Sequence, residues 1–346
     1  MDKVLRQRYS RQTMFPGIGE TGQAKLNQSR VAVIGCGALG CNITSMLVRA
    51  GVGYTRIIDR DFVEYHNLHR QTLFDEDDVK SRIPKAIGAE RHLKKINSSV
   101  RIEGIAADVN SANIASFCQD VDVILDGSDN YETRFLINDF SLKYHIPWVY
   151  GGAIASQGMT MTFIPGETPC LRCIRPALPP PGTSPTCETV GIIGTLPAII
   201  GSLQATEALK LLVGTGKVNH QILLIDIWKG IFEYLNINRR DDCPACHGHY
   251  EWLETPGAQL KFTSLCGQSR SVQVVNSDVR EIDLDRLAAK LKGTVSVKRN
   301  QYSLVITSQE YEITIFPDGR AIVRNTIDEA IAKELYQKFV LSPLQG

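Results

Sequence analysis

The sequence lacks the long apolar segments that a membrane protein requires. No run of about 18 consecutive apolar residues occurs in the chain. The apolar stretch 192–213 is interrupted by Pro197, Gln204, Glu207 and Lys210, and is therefore expected to be a buried helix. The first residues contain no apolar core of the kind that signal peptides carry. We therefore expect a cytoplasmic protein without a membrane partner.

An excess of charge of one sign is also missing. The chain of 346 residues has 38 Lys and Arg against 37 Asp and Glu, so its formal net charge is +1. Composition therefore gives no reason to expect nucleic acid as a partner. Any phosphate chemistry must come from a local site.

Cysteine is too sparse for a disulfide scaffold, with nine residues in the whole chain. Four of them form two C-x-x-C pairs, Cys170/Cys173 and Cys243/Cys246. Unrelated turns or a redox motif are alternatives, but the second pair lies in the run DDCPACHGH, which is typical of a zinc knuckle. A metal site is therefore favoured, with His247 and His249 as bystanders.

The other cysteines are scattered. Cys36 and Cys41 are interpreted as small packing residues, and Cys266 has no assigned role. Cys187 follows a stretch rich in proline, 176–186, and precedes an apolar helix. Exposure near a helix N-terminus would favour its thiolate. Whether it is a nucleophile or a spare loop thiol stays open.

A glycine motif follows the apolar run 31–34, which is typical of a buried parallel strand. Gly35, Gly37 and Gly40 have G-x-G-x-x-G spacing, and Ala38 would begin the next helix. The three glycines allow a tight turn, the approach of a phosphate and close packing of that helix. The motif therefore predicts a nucleotide-binding turn.

The residues after the second strand, 54–58, make the nucleotide prediction more specific. Asp59 directly follows that strand, at a place where a carboxylate binds ribose hydroxyls. Asn67, Arg70 and Gln71 follow it closely. Arg70 suits a phosphate, because its planar guanidinium can donate to two oxygens at once.

Two further residues favour a triphosphate over a dinucleotide. Lys85 would begin the next helix and add a positive charge, and Asp129 follows the apolar run 121–125. A carboxylate at the end of such a strand suits Mg²⁺ that is carried in by a triphosphate. Hydride transfer with NAD or FAD, the alternative for a glycine motif alone, needs neither residue.

The pattern of elements predicts an α/β fold with a Rossmann-like, mainly parallel sheet and an antiparallel continuation at 153–164. The expected strands are 31–34, 54–58, 101–105, 121–125, 148–151 and 222–227. The expected helices are 38–50, 85–95, 112–118, 131–144 and 196–213. Residues 1–30 are helix-prone.

A small C-terminal α+β domain is expected after a linker that runs from Cys246 to about residue 261. Its predicted order is β-α-β-β-β-α, with elements at 271–275, 284–291, 294–297, 303–307, 312–316 and 326–339. The turn at Pro317-Asp318-Gly319 predicts a hairpin. The expected domains are 1–258 and 259–346.

Seven ordered motifs together resemble the ThiF/MoeB/HesA family, bacterial relatives of ubiquitin-activating enzymes. They are RYSRQ (8–12), GCGALG (35–40), DRDFVEYHNLHRQ (59–71), GSDN (127–130), PCLRCI (169–174), TCETVGIIGTLPAIIGSLQATEALK (186–210) and CPAC (243–246). The resemblance covers about residues 6–250. It implies that a homodimeric enzyme uses ATP and Mg²⁺ to adenylate the C-terminal glycine of a ubiquitin-like sulfur carrier protein ending in Gly-Gly.

The resemblance also implies roles for individual residues. The phosphates would be held by Arg70 and Lys85, and Mg²⁺ by Asp129. Asn67 and Gln71 would surround the nucleotide whose ribose Asp59 binds, next to the turn formed by Gly35, Gly37, Ala38 and Gly40. Arg11 would act as an arginine finger in the partner subunit, although the arginines of RQRYSRQ alone fit a solvated helix face equally well. Cys170, Cys173, Cys243 and Cys246 would hold structural Zn²⁺. In some relatives a cysteine at the place of Cys187 forms an acyl-disulfide or thioester.

The favoured function is activation of a ThiS-type carrier for thiamine biosynthesis, with a cysteine desulfurase as a possible sulfur donor. Within the family, MoaD-type activation for molybdopterin, other carrier or peptide adenylation and tRNA-modifying dehydration are alternatives. Outside it, the alternatives are an NAD- or FAD-dependent oxidoreductase and a non-catalytic scaffold that binds a carrier.

Overall fold

A computed structural model describes residues 3–180, 187–255, 260–265, 270–276, 278–279 and 281–345. Cys266, residues 181–186 of the proline-rich stretch and the side chain of Cys187 lie outside the described part. The chain divides into two compact units, Met1–Thr255 and Pro256–Gly346.

The first unit is built on an eight-stranded sheet. Its strands are β1 (Arg30–Ile34), β2 (Tyr54–Ile58), β3 (Arg101–Ile105), β4 (Val123–Asp126), β5 (Trp148–Ile154), β6 (Gln157–Phe163), β7 (Ile222–Asp226) and β8 (Ile231–Leu235). Their spatial order is β3-β2-β1-β4-β5-β6-β7-β8. Strands β1 to β5 are parallel and β6 to β8 continue the sheet in antiparallel pairing. The predicted fold class is confirmed.

Helices cover both faces of this sheet. They are α1 (Lys3–Thr13), α2 (Gly19–Gln28), α3 (Ala38–Ala50), α4 (Glu76–Lys80), α5 (Lys85–Ile96), α6 (Ile114–Cys118), α7 (Tyr131–Tyr144), α8 (Leu171–Ile174), α9 (Cys187–Val190), α10 (Thr195–Val213) and α11 (Glu251–Glu254). In β1, Val31 and Val33 pack in the core of α3 and α10, whereas Ala32 and Ile34 pack in the core of α6 and α7. Burial on both sides explains the continuous apolar run.

Helix α10 is long and apolar enough to cross a membrane, but 56% of its most apolar window is buried inside the unit. Leu196 and Ile200 are fully buried, and Gln204 donates hydrogen bonds to the carbonyls of Asp126 and Val149 at 2.8 and 3.2 Å. These contacts make α10 a core helix, as predicted.

The second unit is a six-stranded antiparallel sheet with helices. Its elements are β9 (Leu260–Leu265), β10 (Ser271–Asn276), α12 (Leu284–Leu291), β11 (Ser296–Arg299), β12 (Leu304–Ser308), β13 (Tyr311–Ile315), β14 (Ala321–Arg324), α13 (Glu329–Tyr336), a π-helical segment Gln337–Leu341 and α14 (Ser342–Gln345). The strand order is β11-β12-β13-β14-β10-β9.

Several element predictions were wrong in detail. The prediction missed β8, β9 and β14 and placed a linker where α11 and β9 lie. Strand β4 begins at Val123, not 121, because the carboxylate of Asp122 accepts a hydrogen bond from the amide of Arg30 before pairing with β1 begins. The hairpin at 317–319 is present, but its second strand, β14, had not been assigned.

Candidate active site

The glycine motif forms the tight turn between β1 and α3. Gly35 has φ +90°, in the left-handed region that favours glycine. A Cβ at Gly40 would lie 2.0 Å from the carbonyl oxygen of Gly35, so no side chain fits there. Gly37 is the N-cap of α3 and supplies no side-chain cap, so backbone N–H groups at Ala38 and beyond are left to a ligand.

Asp59 ties this turn to the end of β2. Its carboxylate accepts hydrogen bonds from the amide of Cys36 at 2.6 Å and from the amide of Asp61 at 2.7 Å. Burial raises the pKa of Asp59, while Lys85 opposes that shift. The residue predicted to bind ribose therefore also fixes the glycine turn.

Lys85, the first residue of α5, is the cation at the centre of the site. Its Nζ lies 3.2 Å from a carboxylate oxygen of Asp61, and its side chain is 9% exposed. Burial acts against its charge, but the carboxylates of Asp61, Asp59 and Asp129 raise its pKa above the ordinary value. The fold therefore brings charged groups from the ends of β2 and β4 to the start of α5.

Arg60 and Asp61 were not among the predicted site residues. Arg60 donates to Asp108 at 2.9 Å, and Asp108, Asp61 and Asp129 raise its pKa against the effect of burial. Their position in the sequence, directly after β2 and next to Asp59, could have identified both as site residues.

The segment after β2 carries three more of the predicted residues, Asn67, Arg70 and Gln71, and each has a different environment. Asn67 caps a short 3₁₀ turn, accepting from the amide of Glu64 at 3.1 Å. Arg70 donates to the carbonyl of His66 at 2.7 Å. The amide of Gln71 faces Gly37, and its buried Oε1 has no hydrogen-bond partner in the described part of the chain. An orphaned acceptor beside the glycine turn fits a ligand that supplies a donor.

Sequence comparison relates this arrangement to known proteins. The ThiF family profile matches residues 9–245. The sulfur carrier protein ThiS adenylyltransferase of Bacillus subtilis (strain 168) is 42% identical over 336 residues, which are 96% of this chain and 99% of that protein. The chain belongs to the ThiF family.

A second relative supports this family assignment, and a solved structure shares the fold. The sulfur carrier protein adenylyltransferase of Thermus thermophilus is 40% identical over 245 residues, or 69% of this chain and 90% of that protein. The crystal structure of E. coli MccB with ATP superposes with a TM-score of 0.61, covering 69% of this chain and 74% of that chain. At 22% identity, this likeness concerns the fold alone.

Two residues predicted from the family resemblance, Arg11 and Cys187, lie on helices α1 and α9. Arg11, near the end of α1, is exposed, and its guanidinium contacts Met14 Sδ at 3.6 Å. Cys187 begins the short helix α9, which precedes α10.

The four cysteines of the C-x-x-C pairs converge on one point. Their Sγ atoms all lie within 4.8 Å of one another, at 3.6 Å for Cys170–Cys243 and for Cys173–Cys246. Four sulfurs around zinc with bonds of about 2.3 Å would be about 3.8 Å apart, so the cluster fits tetrahedral Zn²⁺. Burial and the neighbouring thiols raise the pKa of Cys246 to about 11, an effect that a bound dication would reverse.

Side chains of helix α7 accept hydrogen bonds from the segment of the first cysteine pair and from the segment that follows the second pair. The Oδ1 of Asn138 accepts from the amide of Leu171 at 2.8 Å, and the carboxylate of Asp139 accepts from the amide of Trp252 at 2.8 Å. Burial raises the pKa of Asp139 to about 6. The packing of α11 on α7 therefore depends on a titratable group.

An Asp139→Asn variant is expected to remove one component of the pH dependence of stability. Because folding raises this pKa, the folded state holds the proton more tightly, and stability falls as pH rises from about 4 to about 7. Between about pH 4 and pH 7, the unfolding free energy of the wild type minus that of the variant should fall by up to about 3 kcal/mol. The pKa of Asp139 rises from 3.8 to about 6 on folding, and one pKa unit corresponds to about 1.4 kcal/mol. Urea denaturation at several pH values measures this difference, and a constant difference would contradict the prediction.

Proposed function

We propose that this ThiF family protein uses ATP and Mg²⁺ to adenylate the C-terminal glycine of a ThiS-type, ubiquitin-like sulfur carrier. The observation that carries the proposal is Lys85, buried among the carboxylates of Asp59, Asp61 and Asp129 beside a glycine turn. Such a set of charges suits a metal-bound triphosphate. The match to the Bacillus subtilis protein over 96% of the chain supports the ThiS type.

The chemistry needs charge stabilisation more than proton transfer. The terminal carboxylate of the carrier is already ionised at neutral pH, so no general base is required when it attacks the α-phosphorus. The bond to pyrophosphate breaks and an acyl-adenylate forms. Lys85 and Arg70 would stabilise charge on the phosphates.

Mg²⁺ would be held by Asp129, which is exposed to solvent at the end of β4. When bound, the ion would neutralise charge on the triphosphate. Asp59 would bind the ribose, and Gln71 would receive a hydrogen bond at its orphaned Oε1.

An exposed apolar strand supports a protein as the second substrate. Trp228, Phe232 and Tyr234 are 78%, 59% and 57% exposed on β8 and the turn before it. Strand β8 is also the edge of the sheet, and exposed apolar edges are sites of protein association. We propose that the carrier docks here and that a cysteine desulfurase supplies sulfur to the acyl-adenylate in the cytoplasm.

ATP–pyrophosphate exchange with purified ubiquitin-like carriers ending in Gly-Gly tests the function. The wild-type protein should catalyse exchange that depends on a ThiS-type carrier. Lys85→Met should lower the exchange rate by about 100-fold, because one buried donor to developing charge is lost. Exchange with a MoaD-type carrier alone would favour the molybdopterin alternative.

Lys80→Met provides the matched control. Lys80 is exposed on α4, where it pairs with Asp77 and Glu76, so its loss should change the rate by less than roughly twofold. Absence of exchange with every carrier would refute adenylation, and tight binding of NAD or FAD would then support the oxidoreductase alternative.

A further inference from the structure

Arg175 is a positively charged residue that has no role in the adenylation site proposed above. It follows α8, and its guanidinium carbon lies 4.5 Å from the ring centroid of Tyr131. The side chain is half-buried. Within the described part of the chain, its guanidinium N–H groups have neither a hydrogen-bond nor an ion-pair partner.

The other buried arginines nearby are neutralised. Arg134 pairs with Asp126 at 2.9 Å, and Arg172 pairs with Glu251 at 3.1 Å. Arg175 has no such carboxylate among the described residues. A guanidinium held by stacking loses little entropy when it binds, and its planar donors suit carbonyl and carboxylate oxygens. Arg175 is therefore prepared for an acceptor that the described residues do not supply.

The location of Arg175 indicates which substrate provides that acceptor. Tyr131 begins α7, two residues after Asp129, and its ring also lies 5.4 Å from the guanidinium of Arg134. Arg134 in turn donates to the carbonyl of Ser128, two residues after β4 ends, and to that of Gly151, two residues after the pairing of β5 with β4 ends. Arg175 therefore lies beyond the carboxyl end of β4, on the side of that strand where β5 runs.

The nucleotide elements occupy the other side of β4. The glycine turn and Asp59 follow β1 and β2, and the sheet order β2-β1-β4-β5 separates them from β5. Only Asp129 of the proposed nucleotide site lies at β4, so an acceptor on the β5 side is better supplied by the second substrate than by the nucleotide. We propose that Arg175 binds the C-terminal tail of the carrier, donating hydrogen bonds to its carbonyl or carboxylate oxygens; this inference rests on the proposed function.

Exchange kinetics with a ThiS-type carrier ending in Gly-Gly test the assignment. Arg175→Ala should raise the KM for the carrier by about 10-fold or more, since a hydrogen bond from a charged donor contributes about 1.5–3 kcal/mol. The KM for ATP and the rate at saturating carrier should remain within roughly twofold of the wild type. Tyr131→Leu, which removes the stacking surface, should raise the KM for the carrier in the same direction.

Arg49→Ala is the control, because Arg49 is exposed in the last turn of α3 and donates to Ser45. Zinc content and melting temperature report whether the Arg175 variant keeps its fold near Cys173. An unchanged KM for the carrier would overturn the assignment, as would an equal rise in the KM for ATP, which would place Arg175 on the phosphates. Wild-type protein without carrier-dependent exchange would refute the proposed function itself.

Discussion

Arg11→Ala is expected to lower ATP–pyrophosphate exchange by about 1,000-fold, the lower end of the effect of arginine fingers in phosphoryl transfer. The physical reason is the placement of α1. Its buried Tyr9 accepts a hydrogen bond from Asn97 at 2.9 Å, and Gln12 donates to Ala50 at 2.8 Å, so α1 is anchored to its own unit. Arg11 remains exposed, with Met14 Sδ as a weak acceptor. Arg11 is thus exposed near the end of an anchored helix, as the predicted arginine finger requires.

Mixed dimers distinguish action in trans from action in cis. If Arg11 completes the partner's site, a dimer of one Arg11→Ala and one Lys85→Met protomer contains one intact site and one doubly defective site. Exchange should then recover to about half the wild-type rate per dimer, although the parent homodimers retain only about 0.1% and about 1% of that rate. Differently tagged, coexpressed and copurified subunits provide the sample. No recovery would contradict an arginine finger in trans.

Cys243→Ala is expected to abolish zinc binding and lower the melting temperature by about 10–20 °C. Structural zinc contributes about 10–16 kcal/mol of apparent free energy in small zinc peptides. Even about 5 kcal/mol of this would produce such a shift, at about 2–4 °C per kcal/mol for a unit of this size. Metal analysis and scanning calorimetry provide the measurements.

The matched control for this variant is Cys118→Ala, which truncates another buried thiol outside the cluster. It should retain zinc and lose about 1–2 kcal/mol of stability. Because four thiolates would leave zinc no open position, the folded fraction of Cys243→Ala at low temperature should retain exchange activity. Equal destabilisation by both variants would contradict the zinc assignment.

Local sequence patterns predicted the parts of the fold that depend on neighbours in sequence. Strand β2 and helix α7 have their predicted bounds because apolar periodicity and capping residues determine them locally. Asn130, for example, caps α7 through the amide of Thr133 at 2.8 Å. The glycine turn and the convergence of the cysteines were also readable, from spacing and from the family resemblance respectively.

Other features depend on which elements meet in space. Asp61 gains significance only because α5 brings Lys85 to it. Arg175 is likewise significant only because its guanidinium stacks on the ring of Tyr131. Strand β8 escaped prediction because all five of its residues are exposed, so the alternation that signals a half-buried strand is absent. Tertiary packing, which a single sequence does not encode locally, decides these cases.

The surplus of carboxylates around Lys85 has a consequence for the ionic form of the nucleotide. Four acidic groups, Asp59, Asp61, Asp108 and Asp129, surround the two cations Arg60 and Lys85. A bare ATP tetra-anion entering this ring meets net repulsion, whereas its magnesium complex has a lower charge and a dication for the acidic groups to attract. If the proposed function holds, this ring of charges would exclude uncomplexed ATP and admit the magnesium complex, so that uncomplexed ATP would be a weak competitor for the site.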